Sequence, residues 1–271
     1  MRPAPAPSFL DVARPLAVAA AERIMTLRLS PLSRTRKADH SLVTNADHEA
    51  DQILHDGLRK AFPRHAILTE ESGLDGSAGA EYLWLVDPLD GTSAFAADRP
   101  GYSVMVGLLK DGLPYAGVVV DPVEGHIYEA VRGSGAFHTL QNKRMRVHVS
   151  KRGDLSKMRV ITSPNFPPAI EMKLKDHLQG PWVPSVNSVG IKVGYVVRQV
   201  ADIYINYHGV HLWDTCSPQI ILEEAGGRMT FWDGSRLVYD LMDKSYQYEK
   251  PTLATNDTRH EDVSAILKPL S

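Results

Sequence analysis

Cysteine is nearly missing from this chain: Cys216 is the sole one in 271 residues. One thiol can neither close an intrachain disulfide nor furnish a multi-cysteine metal centre, and its scarcity fits a reducing compartment. An excess of charge of one sign is missing too. The net charge is −2, from 30 Lys+Arg against 32 Asp+Glu, so bulk electrostatics gives no reason to expect nucleic acid as a partner. The short basic run "SRTRK" at 33–37 reads as solvated loop. No apolar run reaches the roughly 20 residues of a membrane span, so no membrane partner is expected. The start, "MRPAPAPSFLDVARPLAVAAAERIM", lacks a basic region followed by an unbroken apolar core. Its stretch at 17–21 is cut at once by Glu22 and Arg23. A secretory signal is therefore not expected, and cytoplasm is the expected compartment.

What is present, 43% hydrophobic and 23% charged residues, supports a soluble fold with a sizeable interior. Residues 9–29 carry apolar side chains at a helical period. A polar loop is expected at 41–47, with Asn45 or Asp47 capping a helix over 49–62 that Pro63 ends. Short buried strands are expected at 66–69 and 82–86. From 102 to 131 the pattern turns to period two, broken by "KDG" and "DPVEG", which predicts an antiparallel meander, with edge strands near 137 and 147–149. The second half alternates: strands at 160–162, 203–206, 228–232 and 252–254, and helices at 169–178, 188–200, 218–225 and 261–267. The fold class read from this is layered α/β. A boundary near 150–154 divides an N-terminal α+β lobe, 1–150, from a C-terminal α/β lobe, 151–271, that closes the site.

Acids gather where apolar elements start or stop. Asp47 precedes a helix, Glu70 and Glu71 follow "AILT", Asp87 and Asp90 follow "LWLV", and Asp214 stands in "HLWDTCSP". Singly, each has an ordinary reading as a cap, a turn former or a solvated pair. Together, at the rim where layered folds build their sites, they mean more. Two carboxylates about 4 Å apart repel by roughly 4 kcal/mol at an effective dielectric near 20, and several such pairs rival the ~5–15 kcal/mol stability of a domain. A cluster of Glu70, Asp87, Asp90 and Asp214 must take up protons or cations. An all-oxygen set without cysteine selects a hard ion, Mg²⁺ first, with Mn²⁺ or Ca²⁺ as substitutes. Gly91 lets backbone amides approach a ligand, and Thr92 adds a hydroxyl beside them. Cys216 has no basic partner in the sequence and reads as a packed small residue. His126, His208 and His211 match no zinc spacing.

At these residues the chain resembles the inositol monophosphatase superfamily of Mg²⁺-dependent, lithium-sensitive phosphatases. Its D-P-[ILV]-D-G-T pattern is matched by Asp87-Pro88-Leu89-Asp90-Gly91-Thr92, and its E-E-S by Glu70-Glu71-Ser72. Its K-x-D-x-S-x-V-T-x-A-D block is matched by Lys37, Asp39, Ser41, Val43, Thr44, Ala46 and Asp47. Its W-D…E-A-G-G block is matched by Trp213-Asp214 and Glu224-Ala225-Gly226-Gly227. The resemblance implies an α-β-α-β-α sandwich of the inositol monophosphatase and fructose-1,6-bisphosphatase type, commonly a homodimer. It implies two or three Mg²⁺ ions held by Glu70, Asp87, the Leu89 carbonyl, Asp90 and Asp214. It makes Asp47 and Thr92 the catalytic pair that orients the attacking water, and the Gly91 and Thr92 amides the contacts to phosphate.

The substrate is less legible. Gly190-Ile191-Lys192, with Tyr204 beyond it, resembles the small-x-Lys motif of 3′(2′),5′-bisphosphate nucleotidases, where Lys192 would meet a second phosphate. The main expectation is therefore hydrolysis of adenosine 3′,5′-bisphosphate to AMP. "GVHLWD" at 209–214 resembles the inositol enzymes instead, and inositol-1-monophosphatase is the alternative, ahead of fructose-1,6-bisphosphatase. Ser188 and His211 are expected to line the substrate pocket. A phosphatase fold that binds a phosphate ligand without turnover is the non-enzymatic alternative.

Overall fold

The computed structural model describes residues 8–29, 34–36 and 42–270. Lys37, Asp39 and Ser41 of the first motif, and the Pro/Ala leader, lie outside them.

The strand Tyr82–Asp90 shows how the layers arise. Leu83 and Leu85 join one buried cluster, whereas Trp84 and Val86 join another on the opposite face. Alternation along a strand sends successive side chains to opposite sides, and here both sides are apolar, so the sheet is covered twice. It has eight strands, in the order Lys143–Val147, Gly135–Leu140, His126–Val131, Leu113–Asp121, Ser103–Lys110, Tyr82–Asp90, Ala66–Thr69, Gly73–Asp75. The meander is antiparallel as the period-two pattern predicts. Ala66–Thr69 runs parallel to Tyr82–Asp90, so the ends of both point to the same rim.

Helices Phe9–Arg28 and Asn45–Ala61 cover one face, contributing Ala17, Ala20, Ile24, Leu54 and Leu58. Helices Val189–Val197 and Leu212–Glu224 cover the other, with Val193, Val196, Cys216 and Ile220. Beyond these lies a four-stranded sheet, Val160–Ile161, Ile203–Asn206, Thr252–Thr255, Arg228–Phe231. Its Tyr204 faces inward, while Ile203 and Ile205 face a third cluster closed by the helices Pro168–His177 and His260–Leu267. Each fully buried large apolar side chain contributes ~1.5–3 kcal/mol, and three clusters of them hold the α-β-α-β-α layering.

Leu212–Glu224 lies unusually close to the large sheet. Gly107 and Gly117 are register partners on adjacent strands. A Cβ on Gly107 would stand 2.6 Å from Cys216 Sγ, and one on Gly117 would stand 2.8 Å from Ser217 Cα. Only bare backbone leaves room for the helix there.

Several boundaries differ from the sequence expectation. The strand expected to end at 86 continues to Asp90. The polar loop expected at 41–47 contains the strand Leu42–Thr44 and the first turn of a helix that starts at Asn45 and is capped by Thr44. The helix expected from 218 begins at Leu212, with Pro218 in its interior. No strand covers 148–149; the edge strand is Lys143–Val147. Among the described residues no helix is long and apolar enough to cross a membrane.

Candidate active site

Pro88 explains how one strand presents two acids together. Asp87 and Asp90 are three residues apart, and in a regular strand they would face opposite ways. Proline has no N–H for the ladder, and the register with Ser103–Lys110 shifts between Asp87, opposite Met105, and Asp90, opposite Ser103. The irregularity re-aims the chain as a bulge does, so both carboxylates enter one electrostatic cluster. Glu70 joins from the neighbouring strand end, where its N–H donates to the Val86 carbonyl at 3.1 Å.

Taken singly, Asp47 and Asp214 suit N-caps, but each stands three residues after its cap. Asp47 Oδ2 accepts from Thr44 N at 2.8 Å and Thr44 Oγ1 at 2.7 Å. Asp214 Oδ2 accepts from His211 N at 2.7 Å. Both use the reciprocal arrangement that fixes a helix start, and both place a carboxylate at the electropositive end of a helix.

Asp87 is 2% and Asp90 9% exposed, and the Asp214 side chain is 15% exposed. Burial, followed by the charges of Glu70, Asp90 and Asp214, pushes the Asp87 carboxyl well above the usual carboxylate range. Burial and then Asp90 and Glu70 do the same to Asp214. Asp90 is raised by burial, although Ser188, Lys192 and the Gly190 amide pull it back. Burial and mutual repulsion therefore both favour the protonated form of these carboxyls. A divalent cation would relieve the same repulsion, binding better as pH rises because it competes with protons for the carboxylates, and an all-carboxylate and carbonyl donor set suits Mg²⁺. Among the described residues no three acidic, histidine or cysteine side chains form a ready ligand trio. Asp87 Oδ1 is turned onto Leu89 N at 2.9 Å and Asp214 Oδ2 onto His211 N at 2.7 Å, so the fit to a cation rests on charge and donor chemistry.

Facing the acids is a second pair. Thr92 Oγ1 donates to Asp47 Oδ1 at 2.9 Å and lies 3.0 Å from the Leu89 carbonyl oxygen. Asp47 is raised by burial, while the bonds from Thr44 and Thr92 oppose the shift. Gly91 precedes the short helix Thr92–Ala96 with φ +94°. A Cβ there would meet the Gly101 carbonyl oxygen at 2.8 Å. Gly91→Ala is expected to lower stability by about 1–3 kcal/mol, the cost of a strained backbone position, and to depress turnover with it. Melting curves and phosphate-release rates on the same preparation check both.

Of the three residues expected to touch substrate, Ser188 and Lys192 are buried and His211 is partly exposed. Ser188 is fully buried: its hydroxyl lies 2.6 Å from Asp90 Oδ2 and accepts from Ile191 N at 3.0 Å, so it orients Asp90 from behind. Lys192 is 1% exposed, with its ammonium on Ser163 Oγ at 2.7 Å and the Asn187 carbonyl at 2.8 Å. That leaves it poorly placed to meet a second phosphate. His211 is half-buried and stacks on Trp213 at 4.7 Å, at the start of the Asp214 helix. His126 is bonded to His138 at 2.8 Å, and His208 to the Asn165 carbonyl at 3.1 Å. Cys216 is buried, and burial raises its thiol far above the ordinary value.

Sequence reasoning missed Asp51. It lies one turn beyond Asp47 on the same helix face, is 3% exposed, and accepts from Ser72 Oγ. Ser72 N in turn donates to Thr69 Oγ1 at 2.9 Å, so this link pins the turn that carries Glu70. The i, i+4 spacing of Asp47 and Asp51 was the available signal.

This layered fold, with buried acids facing a Thr–Asp pair, defines a class of phosphomonoesterases. The chain belongs to the inositol monophosphatase family, whose sequence model matches residues 7–267, and is a phosphatase of that family. It is 32% identical to the inositol-1-monophosphatase of Synechocystis sp., over 96% of this chain and 88% of that protein. It is 30% identical to the Nus factor SuhB of Pasteurella multocida, over 76% and 78% respectively. The solved inositol monophosphatase from Anabaena (Nostoc) sp. PCC 7120 matches with TM-score 0.79 at 30% identity, covering 97% of this chain and 96% of its own.

Proposed function

We propose that this phosphatase hydrolyses the monophosphate of an inositol or a similarly hydroxylated ring, using Mg²⁺. The expectation of a bisphosphate nucleotide gives way to its alternative. The observation that carries this reading is Lys192: the cation meant for a second phosphate has two of its three donors committed inside the protein. The name of the Synechocystis relative supports the same choice.

Glu70, Asp87, the Leu89 carbonyl, Asp90 and Asp214 would hold the ions. Mg²⁺ bound there would neutralise the phosphate dianion, acidify water and stabilise the leaving alkoxide. The protein's own part is orientation. Thr92 gives its single proton to Asp47, so the lone pairs of Oγ1 are left to accept a hydrogen from the attacking water and fix its direction. Asp47 is held for this by both Thr44 donors. The amides at Gly91 and Thr92 open the helix Thr92–Ala96 and have no partner inside it, which suits them to phosphate oxygens. No step requires a covalent enzyme intermediate.

With Mg²⁺, kcat/KM for inositol 1-phosphate is expected to exceed that for adenosine 3′,5′-bisphosphate and fructose 1,6-bisphosphate by about tenfold, a difference of ~1.4 kcal/mol at the transition state. Chelation is expected to stop turnover. A preference for the nucleotide overturns the substrate; full activity in chelator overturns the metal.

A further inference from the structure

A lysine on a helix ordinarily reaches solvent. Lys192, on Val189–Val197, does the opposite and is among the largest fully buried side chains. Its ammonium folds back to the helix start, where it donates to the Asn187 carbonyl and to Ser163 Oγ and stands 4.9 Å from the centre of the Tyr204 ring. The same helix start binds Asp90, whose Oδ2 accepts from Ser188 Oγ at 2.6 Å and Gly190 N at 3.1 Å. One helix terminus therefore holds an acid of the cluster and a cation side by side.

We propose that Lys192 is a built-in counter-cation of the acid cluster: its fixed ammonium offsets Asp90 and Asp214, so that this side of the site binds its divalent ion more weakly than the Glu70–Asp87 side. The inference rests on the metal reading above and extends it to the protein's control of ion affinity. The supporting physics is direct. A buried ammonium is costly unless charges or dipoles compensate it. Burial lowers the Lys192 pKa to about 8, and the charges of Asp90 and then Asp214 act against that effect. Two hydrogen bonds and a ring face restrict its movement when an ion arrives, and like charges in a low-dielectric site repel strongly.

The test is Mn²⁺ binding at neutral pH, followed by electron paramagnetic resonance of the free ion, on the full chain and on Lys192→Met and Lys192→Gln. The wild type is expected to show a tighter and a weaker class of site. In the variants the weaker class should tighten by about tenfold or more, while the tighter class changes less than about threefold. Melting in chelator gives a second readout. The variants should melt below wild type without ions, because Asp90 and Asp214 lose their counter-charge, and saturating Mg²⁺ should close most of that gap. Loss of packing alone would lower both melting points equally. Unchanged or weakened Mn²⁺ binding in folded variants overturns the proposal. Failure of both variants to fold even in Mg²⁺ also overturns it, because Lys192 would then be part of the core structure. If the wild type binds no Mn²⁺, the metal reading falls and takes this inference with it; if it binds and the variants match it, only the inference falls.

Discussion

Asp90→Asn is expected to leave the protein folded and to lower kcat by about a thousandfold or more, equivalent to ~4 kcal/mol of transition-state stabilisation. The amide is nearly isosteric, and its carbonyl oxygen can still accept from Ser188 and Gly190, which hold Asp90 Oδ2 at 2.6 and 3.1 Å. What disappears is a negative charge that burial already makes expensive. The metal-free variant should therefore melt within a few degrees of wild type. The rise in melting temperature on adding Mg²⁺ should shrink sharply, because the ion loses a ligand and a charge together. Circular dichroism melts with and without Mg²⁺, beside a colorimetric phosphate assay, separate these effects. Retained turnover would remove Asp90 from the ion site.

Thr92→Val tests the other half of the machinery and should lower kcat by about a hundredfold to a thousandfold, within the range for a positioned proton-handling group, with KM little changed. Valine keeps the shape and loses the hydroxyl that links Asp47 to the water. Asp47 keeps both Thr44 donors, so the stability cost should be about 1 kcal/mol, that of one hydrogen bond. Thr92→Ser should recover much of the rate. Adding Asp47→Asn to Thr92→Val should cost little more, because residues that act as a unit do not add. Additive losses would mean that the two side chains work separately.

Both predictions concern residues that sequence could find, since acids after apolar runs stand out. The meander was also legible, because its strands are β-branched and broken by tight turns. The exact course of the chain around the acids was less so. Asp serves equally well as a cap or three residues inside one, so the helix at Asp214 starts earlier than its proline suggested. Pro88 argued for a strand end, yet the bulge absorbs it and the strand runs on to Asp90. Ser188 and Lys192 were read as substrate contacts because burial by distant segments leaves no local mark. Ser163, Asn187 and Tyr204 surround the lysine only after folding.

The glycine pair beneath Leu212–Glu224 gives the site a hard stop. The helix rests on main-chain atoms, which have no rotamer to give way, so Asp214 is carried to a depth set by atomic radii. The gap across which it faces Asp87 and Asp90 behaves as a machined clearance rather than an adjustable one. A single methyl group at Gly107 or Gly117 would act as a shim under the helix and open that clearance without altering any acid.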